Sequence, residues 1–270
     1  MCLIGLSWRA HARHQLVLVA NRDEFHSRPS AGAAPWKDHP HIFGGRDLGK
    51  GGSWLAASTR GRVAAVTNVR RMVPPDPQAP SRGRLVADFL IGEASAQAYA
   101  QALAEDAGNY SGYNLLLGDG AELLFVSNTP EFRIEAVAPG IHTVSNASLD
   151  TPWPKARRLQ AALEAWSRDN WESFTPLFKA LADRVPAADA ELPNTGVGRQ
   201  MERLLSPPFI VSPHYGTRCS TVVAVGADRI DFSEKRYEPS GVLAGQVEKQ
   251  LPLLAPGPAM QAPAQPGTPA

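Results

Sequence analysis

The sequence predicts an α+β protein built from antiparallel sheets covered by helices. Three observations carry this. The predicted elements run strands, helices, strands, helices, strands, without a regular strand–helix alternation. Neighbouring strands are separated by turn signals, Gly118-Asp119-Gly120 and Pro139-Gly140 being the clearest, which is the chemistry of hairpins rather than crossovers. A chain of 270 residues with 43% apolar and 20% charged side chains has an ordinary globular composition, near the upper size for one core.

The first strand lies over residues 2–8 and pairs with the compact apolar run 15–20, closed around 10–14. The polar run Asn21-Arg22-Asp23-Glu24 marks the exit of the second strand. Residues 26–53 are rich in Gly, Pro, His and Trp and show no period of 2 or 3.6. They read as a long functional loop anchored by Trp36, Phe43 and Trp54. A strand follows over 62–69, then a Pro-rich loop over 73–80. Ser81 can cap a helix reaching Gly92, and 94–106 form a second, Ala-rich helix. Residues 113–117 and 121–127 form a hairpin, and 132–137 with 140–145 repeat the arrangement around Pro139-Gly140. Helices are expected over 154–168, opening with Pro near its first turn, and over 173–184. Residues 186–213 read as loop with a helical piece around 198–205, and 219–226 with 229–236 form a last hairpin. Residues 1–252 make one domain, and the Pro/Ala-rich run 253–270 a disordered tail.

Twenty-seven basic and 26 acidic side chains nearly cancel, so there is no general electrostatic reason to bind nucleic acid or an anionic membrane. Two cysteines, Cys2 and Cys219, are too few for a disulfide scaffold and fit a reducing cytoplasm. No run approaches the roughly 18 apolar residues a membrane span needs, and no secretory signal opens the chain. The segment Gly44 to Gly49-Lys50 nearly spells a phosphate loop, but Gly51 stands where a Mg²⁺-binding hydroxyl is required. Five histidines fall at His11, His14, His26, His39 and His41, with no spacing of a zinc site, so no metal is expected. No cofactor is required. Haem is admitted as a ligand, since it needs only one or two axial donors.

The chemistry concentrates at Cys2. Met1 can be removed when a small side chain follows it, which would leave an α-amine beside the thiol in one residue. An α-amine has a pKa near ~8 and can act as the base for that nucleophile. Taken alone, Cys2 reads first as a small buried hydrophobe in the opening strand. Polar clusters at other strand ends supply the remaining parts of an acyl-transfer site: Thr67-Asn68-Val69-Arg70, Ser145-Asn146 and Thr217-Arg218-Cys219-Ser220. Such a site needs oxyanion donors and charges that lower the thiol's pKa.

Asn21-Arg22-Asp23-Glu24, following a Met-Cys strand, resembles the signature of the NRDE-motif family, the transport-and-Golgi-organisation protein 2 group. Gly44-Gly45, Gly51-Gly52-Ser53-Trp54, Thr67-Asn68-Val69, Ser81-Arg82-Gly83, Tyr113-Asn114-Leu115, Val144-Ser145-Asn146 and Thr217-Arg218-Cys219-Ser220-Thr221 support the match over residues 1–235. The family is distantly similar to N-terminal nucleophile hydrolases of the choloylglycine hydrolase and penicillin V acylase type. The resemblance therefore implies a four-layer αββα sandwich with Cys2 at the mouth of a strand. It also implies Cys2 as nucleophile, Arg22 as the cation beside it, Asn68 and Asn146 as oxyanion or orienting amides, and Arg218 completing the site. The acylases carry an Asp three residues beyond the Arg, where this chain has Phe25, so either Asp23 or Glu24 takes that role or the role is absent. Two readings follow. One is a cytoplasmic Cys amidase or acyl hydrolase acting on a small acylated molecule. The other is a carrier of haem or acyl-coenzyme A, with Trp36, Phe43 and Trp54 lining the apolar part of a pocket. In that carrier Arg70, Arg71 and Arg82 would meet propionates or phosphates, and Asn21 and Glu24 would add polar contacts. The oligomeric state is not legible.

Overall fold

A computed structural model describes residues 2–70, 76, 78–169 and 172–254. Arg71 and most of the expected tail lie outside the described residues. Two antiparallel sheets lie face to face between helices. The first takes the order β10-β1-β2-β11-β12-β13, built from β1 (Cys2–Trp8), β2 (Leu16–Phe25), β10 (Gly140–Val144), β11 (Tyr215–Val225), β12 (Arg229–Tyr237) and β13 (Leu243–Pro252). The second runs β3 to β9 in sequence order: β3 (Ser30–Pro35), β4 (Ile42–Asp47), β5 (Leu55–Ser58), β6 (Val63–Asn68), β7 (Tyr113–Gly118), β8 (Leu123–Ser127) and β9 (Arg133–Ala136). Helices α1 (Gly83–Ile91) and α2 (Ala96–Asp106) cover the second sheet. Helices α3 (Pro154–Arg168) and α4 (Thr175–Leu181) cover the first, and a short α5 (Arg199–Leu204) lies in the segment before β11. This is the four-layer αββα sandwich.

The period-2 alternation of strands decides which residues face which layer. In β1 and β2 the even positions Ile4, Leu6, Leu16, Leu18 and Ala20 enter the core between the sheets. The odd positions Leu3, Val17 and Val19 pack outward against Leu159, Leu163 and Trp166 of α3. Cys2 and Arg22 therefore fall on the inter-sheet face, and Asn21 and Asp23 on the helix face. Register completes the placement: Cys2 stands opposite Arg22, Arg22 opposite Cys219, and Cys219 opposite Arg236, one row across four strands.

Three expectations are corrected. Residues 26–53 are not one loop, since they hold β3 and β4. The glycines that hide this pattern are close-packing positions: a Cβ at Gly44 would lie 2.5 Å from the Ala56 Cβ, and one at Gly45 2.2 Å from the Trp54 ring. The second hairpin does not form, because β9 edges one sheet and β10 the other, so Pro139-Gly140 carries the chain between layers. An unforeseen strand, β13, closes the first sheet; only Val247 and Leu251 of it meet the core, so its sequence reads as polar.

Candidate functional site at Cys2

The open edge between the sheets forms a cleft of about 470 Å³ lined by Cys2, Arg22, Asp23, Glu24, Trp54, Asn68 and Arg82, among others. Cys2 is half-buried at its floor. The backbone N–H of Asp23 is directed at its sulfur. Burial pushes the Cys2 thiol above its ordinary range and the Asp23 carboxylate adds to this, while Arg22 and the positive amino terminus pull it down.

Arg22 is held from three sides. Its guanidinium lies 4.2 Å from the Trp54 ring centroid, donates to Ser30 Oγ at 3.3 Å and comes within 3.9 Å of Glu24. Trp54 can lie there because Gly45 has no side chain to meet its ring. The next layer is Arg28, which donates to Asp47 at 2.9 Å and lies 3.7 Å from Glu24. Asp47 also accepts the backbone N–H groups of Gly49 and Lys50, which turns this loop towards the cleft. Gly52, at φ +79°, passes so close to Gly83 that a Cβ would sit 2.3 Å from its carbonyl carbon, and Ser53 N–H donates to the Gly83 carbonyl. That contact fixes the start of α1 and with it Arg82, whose guanidinium donates to the Gly112 carbonyl. Burial lowers the pKa of Arg82, and the nearby Cys2 and Glu24 work against that.

The helix side holds a second polar layer. Asp23 is 2% exposed and accepts the Thr217 hydroxyl at 2.7 Å. Burial pushes its carboxyl up, while the amino terminus and Lys155 pull it down. Lys155, in the first turn of α3, is 2% exposed, and its Nζ makes no hydrogen bond among the described residues. Burial brings its pKa down to about 8. Residue-type patterning could have found it, since Lys155 falls on the same helical stripe as Leu159 and Trp166.

The predicted residues divide. Cys2, Arg22, Asp23, Glu24, Asn68, Trp54 and Arg82 meet in the cleft. Asp23 is buried and Glu24 half-buried, while Phe25 is 57% exposed and packs edge-on to Tyr215. Asn68 reaches the cleft, with no side-chain hydrogen bond among the described residues. Asn146 does not line it: its amide donates to the Asn68 carbonyl at 2.8 Å, holding that strand end in place. Asn21 ties the sheet to the helix layer, donating to the Leu181 and Pro208 carbonyls and accepting from Ser220. Arg218 sits at a bulge in β11 and caps the turn after β2 through the carbonyls of Phe25, His26 and Arg28. Arg70 is closed in a buried ion pair with Glu202 at 2.7 Å. Trp36 is buried under α1 with its N–H on the Gly44 carbonyl, and Phe43 packs against Phe232 in the inter-sheet core, so neither lines the cleft. The residues missed from sequence are Lys155, Arg28, Asp47 and Lys50. Among the described residues no group of three His, Cys, Asp or Glu side chains could hold a metal ion. None of the described helices is long and apolar enough to cross a membrane.

Two face-to-face antiparallel sheets between helical layers give the chain an N-terminal nucleophile hydrolase-like fold. The C2A mutant of conjugated bile acid hydrolase from Clostridium perfringens superposes with a TM-score of 0.53 at 9% identity, covering 93% of this chain and 92% of that one. The chain belongs to the Transport and Golgi organisation 2 family, whose model matches residues 1–239. It is 36% identical over 239 residues to the human Transport and Golgi organization protein 2 homolog, spanning 82% of this chain and 86% of the relative. The Drosophila melanogaster Transport and Golgi organization protein 2 is 28% identical over 249 residues, with the same coverage.

Proposed function

We propose that the protein is an N-terminal-cysteine acyl hydrolase that cleaves an amide or thioester of a small, polar acylated molecule. One observation carries the reading: strand register sets Cys2 against Arg22 at the floor of a cleft, with the Asp23 N–H on the sulfur. Removal of Met1 would free the α-amine of Cys2 to take the thiol proton. The thiolate adds to the substrate carbonyl, and the Asn68 amide meets the oxyanion. Collapse expels the amine or thiol, which leaves with the proton held by the α-amine. Water then adds to the thioester on Cys2, releases the acid and restores the thiol. Four basic and four acidic side chains line the cleft, and Arg22 and Arg28 already lie against carboxylates, so a dipolar substrate suits it better than a polyanion.

A second reading, a non-catalytic carrier of acyl-coenzyme A or haem, draws on the raised pKa of Cys2, which keeps the resting sulfur a thiol. Trp54 and Val66 are the large apolar lining it would have, with Trp36 and Phe43 packed elsewhere. Cys2→Ala separates the readings: hydrolysis of a panel of N-acyl amides and acyl thioesters is lost with ligand affinity retained. A wild type that binds palmitoyl-coenzyme A or haem saturably and cleaves nothing in the panel would establish the carrier.

A further inference from the structure

We propose that Lys155 is a positioning residue of the Cys2 site, a cation built without a hydrogen-bonding partner whose charge acts on Asp23 and on the nucleophile. The proposal rests on the reading of Cys2 as the nucleophile, though on no particular substrate.

Topology places the residue. Strand β10 runs antiparallel to β1 with Val144 opposite Ile4, so the chain leaves β10 at the cleft end. Helix α3 starts there and runs along β1 to the far end, where Trp166 stacks on His11 of the β1–β2 connection at 4.6 Å. Midway, Leu159 lies over Gly5, where an added Cβ would be 3.0 Å from its Cγ. Lys155 is one helical turn earlier. A turn of about 5.4 Å spans roughly two strand residues, which sets Lys155 over the start of β1, on the face from which Asp23 projects.

Nothing local calls for a cation here. The first turn of α3 contains no acidic residue, and a positive charge at a helix N-terminus opposes the helix dipole. A buried ammonium with no hydrogen bond is among the more costly groups a fold can hold, and an apolar side chain of the same length would fit the stripe. A residue that breaks several local preferences at once belongs with function rather than with stability. The charged and titratable groups around it come from every packed element. Cys2 of β1, Asp23 of β2 and Glu202 of α5 favour its charged form, and Arg70 beyond β6 opposes it. Tyr215 of β11 donates to the Asp23 carbonyl and so closes the layer. Lys155 thus draws the buried Asp23 carboxyl down, and an ionised Cys2 and the Lys155 ammonium favour each other.

The test is the pH dependence of iodoacetamide alkylation at Cys2, read by peptide mass on the full chain for wild type, Lys155→Met and Lys155→Arg. Lys155→Met should make Cys2 roughly tenfold slower to alkylate at pH 7, a difference that closes above about pH 8 as wild-type Lys155 gives up its proton, and Lys155→Arg should restore most of the rate at pH 7. A Lys155→Met protein whose profile overlays wild type would overturn the proposal. So would one that fails to fold, since the ammonium would then serve the fold itself. Alkylation needs no substrate, so this outcome is independent of whether the panel of acyl compounds is cleaved.

Discussion

Replacing Lys155 with Met should make the protein more stable at neutral pH, a direction opposite to most substitutions of a fully buried residue. Lys155 has its pKa brought from 10.5 to about 8 by burial, a loss of roughly 300-fold in proton affinity. Below pH 8 the folded state must hold a proton the unfolded chain binds far more tightly, which costs about 3 kcal/mol. Between about pH 8 and 10.5 the unfolded chain is protonated and the folded one is not, so wild-type stability rises with pH across that window. Above it the penalty is gone. Met has no such term and fills a similar volume on a stripe already built from Leu159, Leu163 and Trp166. Urea unfolding at pH 7 should therefore show Lys155→Met more stable by about 3 kcal/mol, a difference that shrinks from pH 8 and closes near pH 10.5. A variant less stable than wild type at pH 7, or a difference independent of pH, would show that the buried ammonium carries no such penalty.

Other consequences are equally direct. Gly45→Ala drives a Cβ to 2.2 Å from the Trp54 ring, so it should cost about 1–3 kcal/mol, quench or shift the Trp54 fluorescence and release Arg22; unchanged emission and stability would deny that Gly45 seats the stack. Glu202→Gln leaves Arg70 buried against a neutral partner and should destabilise by about 3–5 kcal/mol in thermal or urea unfolding. Asn68→Ala should lower turnover of any cleaved substrate by about 10²–10³ while the melting temperature stays near wild type.

Much of the site was legible because local sequence and strand register coincide. An N-terminal strand followed by a turn and Asn21-Arg22-Asp23-Glu24 can pair Cys2 with Arg22 in only a few registers, and the alternation of Leu and Val settles which. Asp23 and Glu24 read as alternatives in the sequence, and the structure gives them different surroundings: Asp23 is buried against Thr217, while Glu24 braces Arg22 and Arg28. Aromatic residues misled. Trp36, Phe43 and Trp54 share one stretch, but β3 and β4 thread through it: Trp36 goes under α1, Phe43 goes into the inter-sheet core, and Trp54, packed against that same core, reaches the cleft. Arginine misled for a related reason, since polar clusters at strand ends serve turns and ion pairs as readily as substrates, which is the use made of Arg70 and Arg218. Pro139-Gly140 looks like a hairpin turn because local chemistry does not say which sheet the next strand will join. Lys155 shows as a charge on an apolar stripe, but its closeness to Cys2 exists only once α3 is laid along β1.

The central claim is that Cys2, freed of Met1, carries the acyl group. Acid-quenching the protein during exposure to a short-chain acyl thioester or N-acyl amide, followed by intact and peptide mass, tests it directly. The expected result is a chain lacking Met1 and an acyl adduct on Cys2, absent in Cys2→Ala and dissipating as free acid appears. Met1 retained on the native protein, with no adduct at Cys2 while substrate is consumed or merely bound, would contradict it.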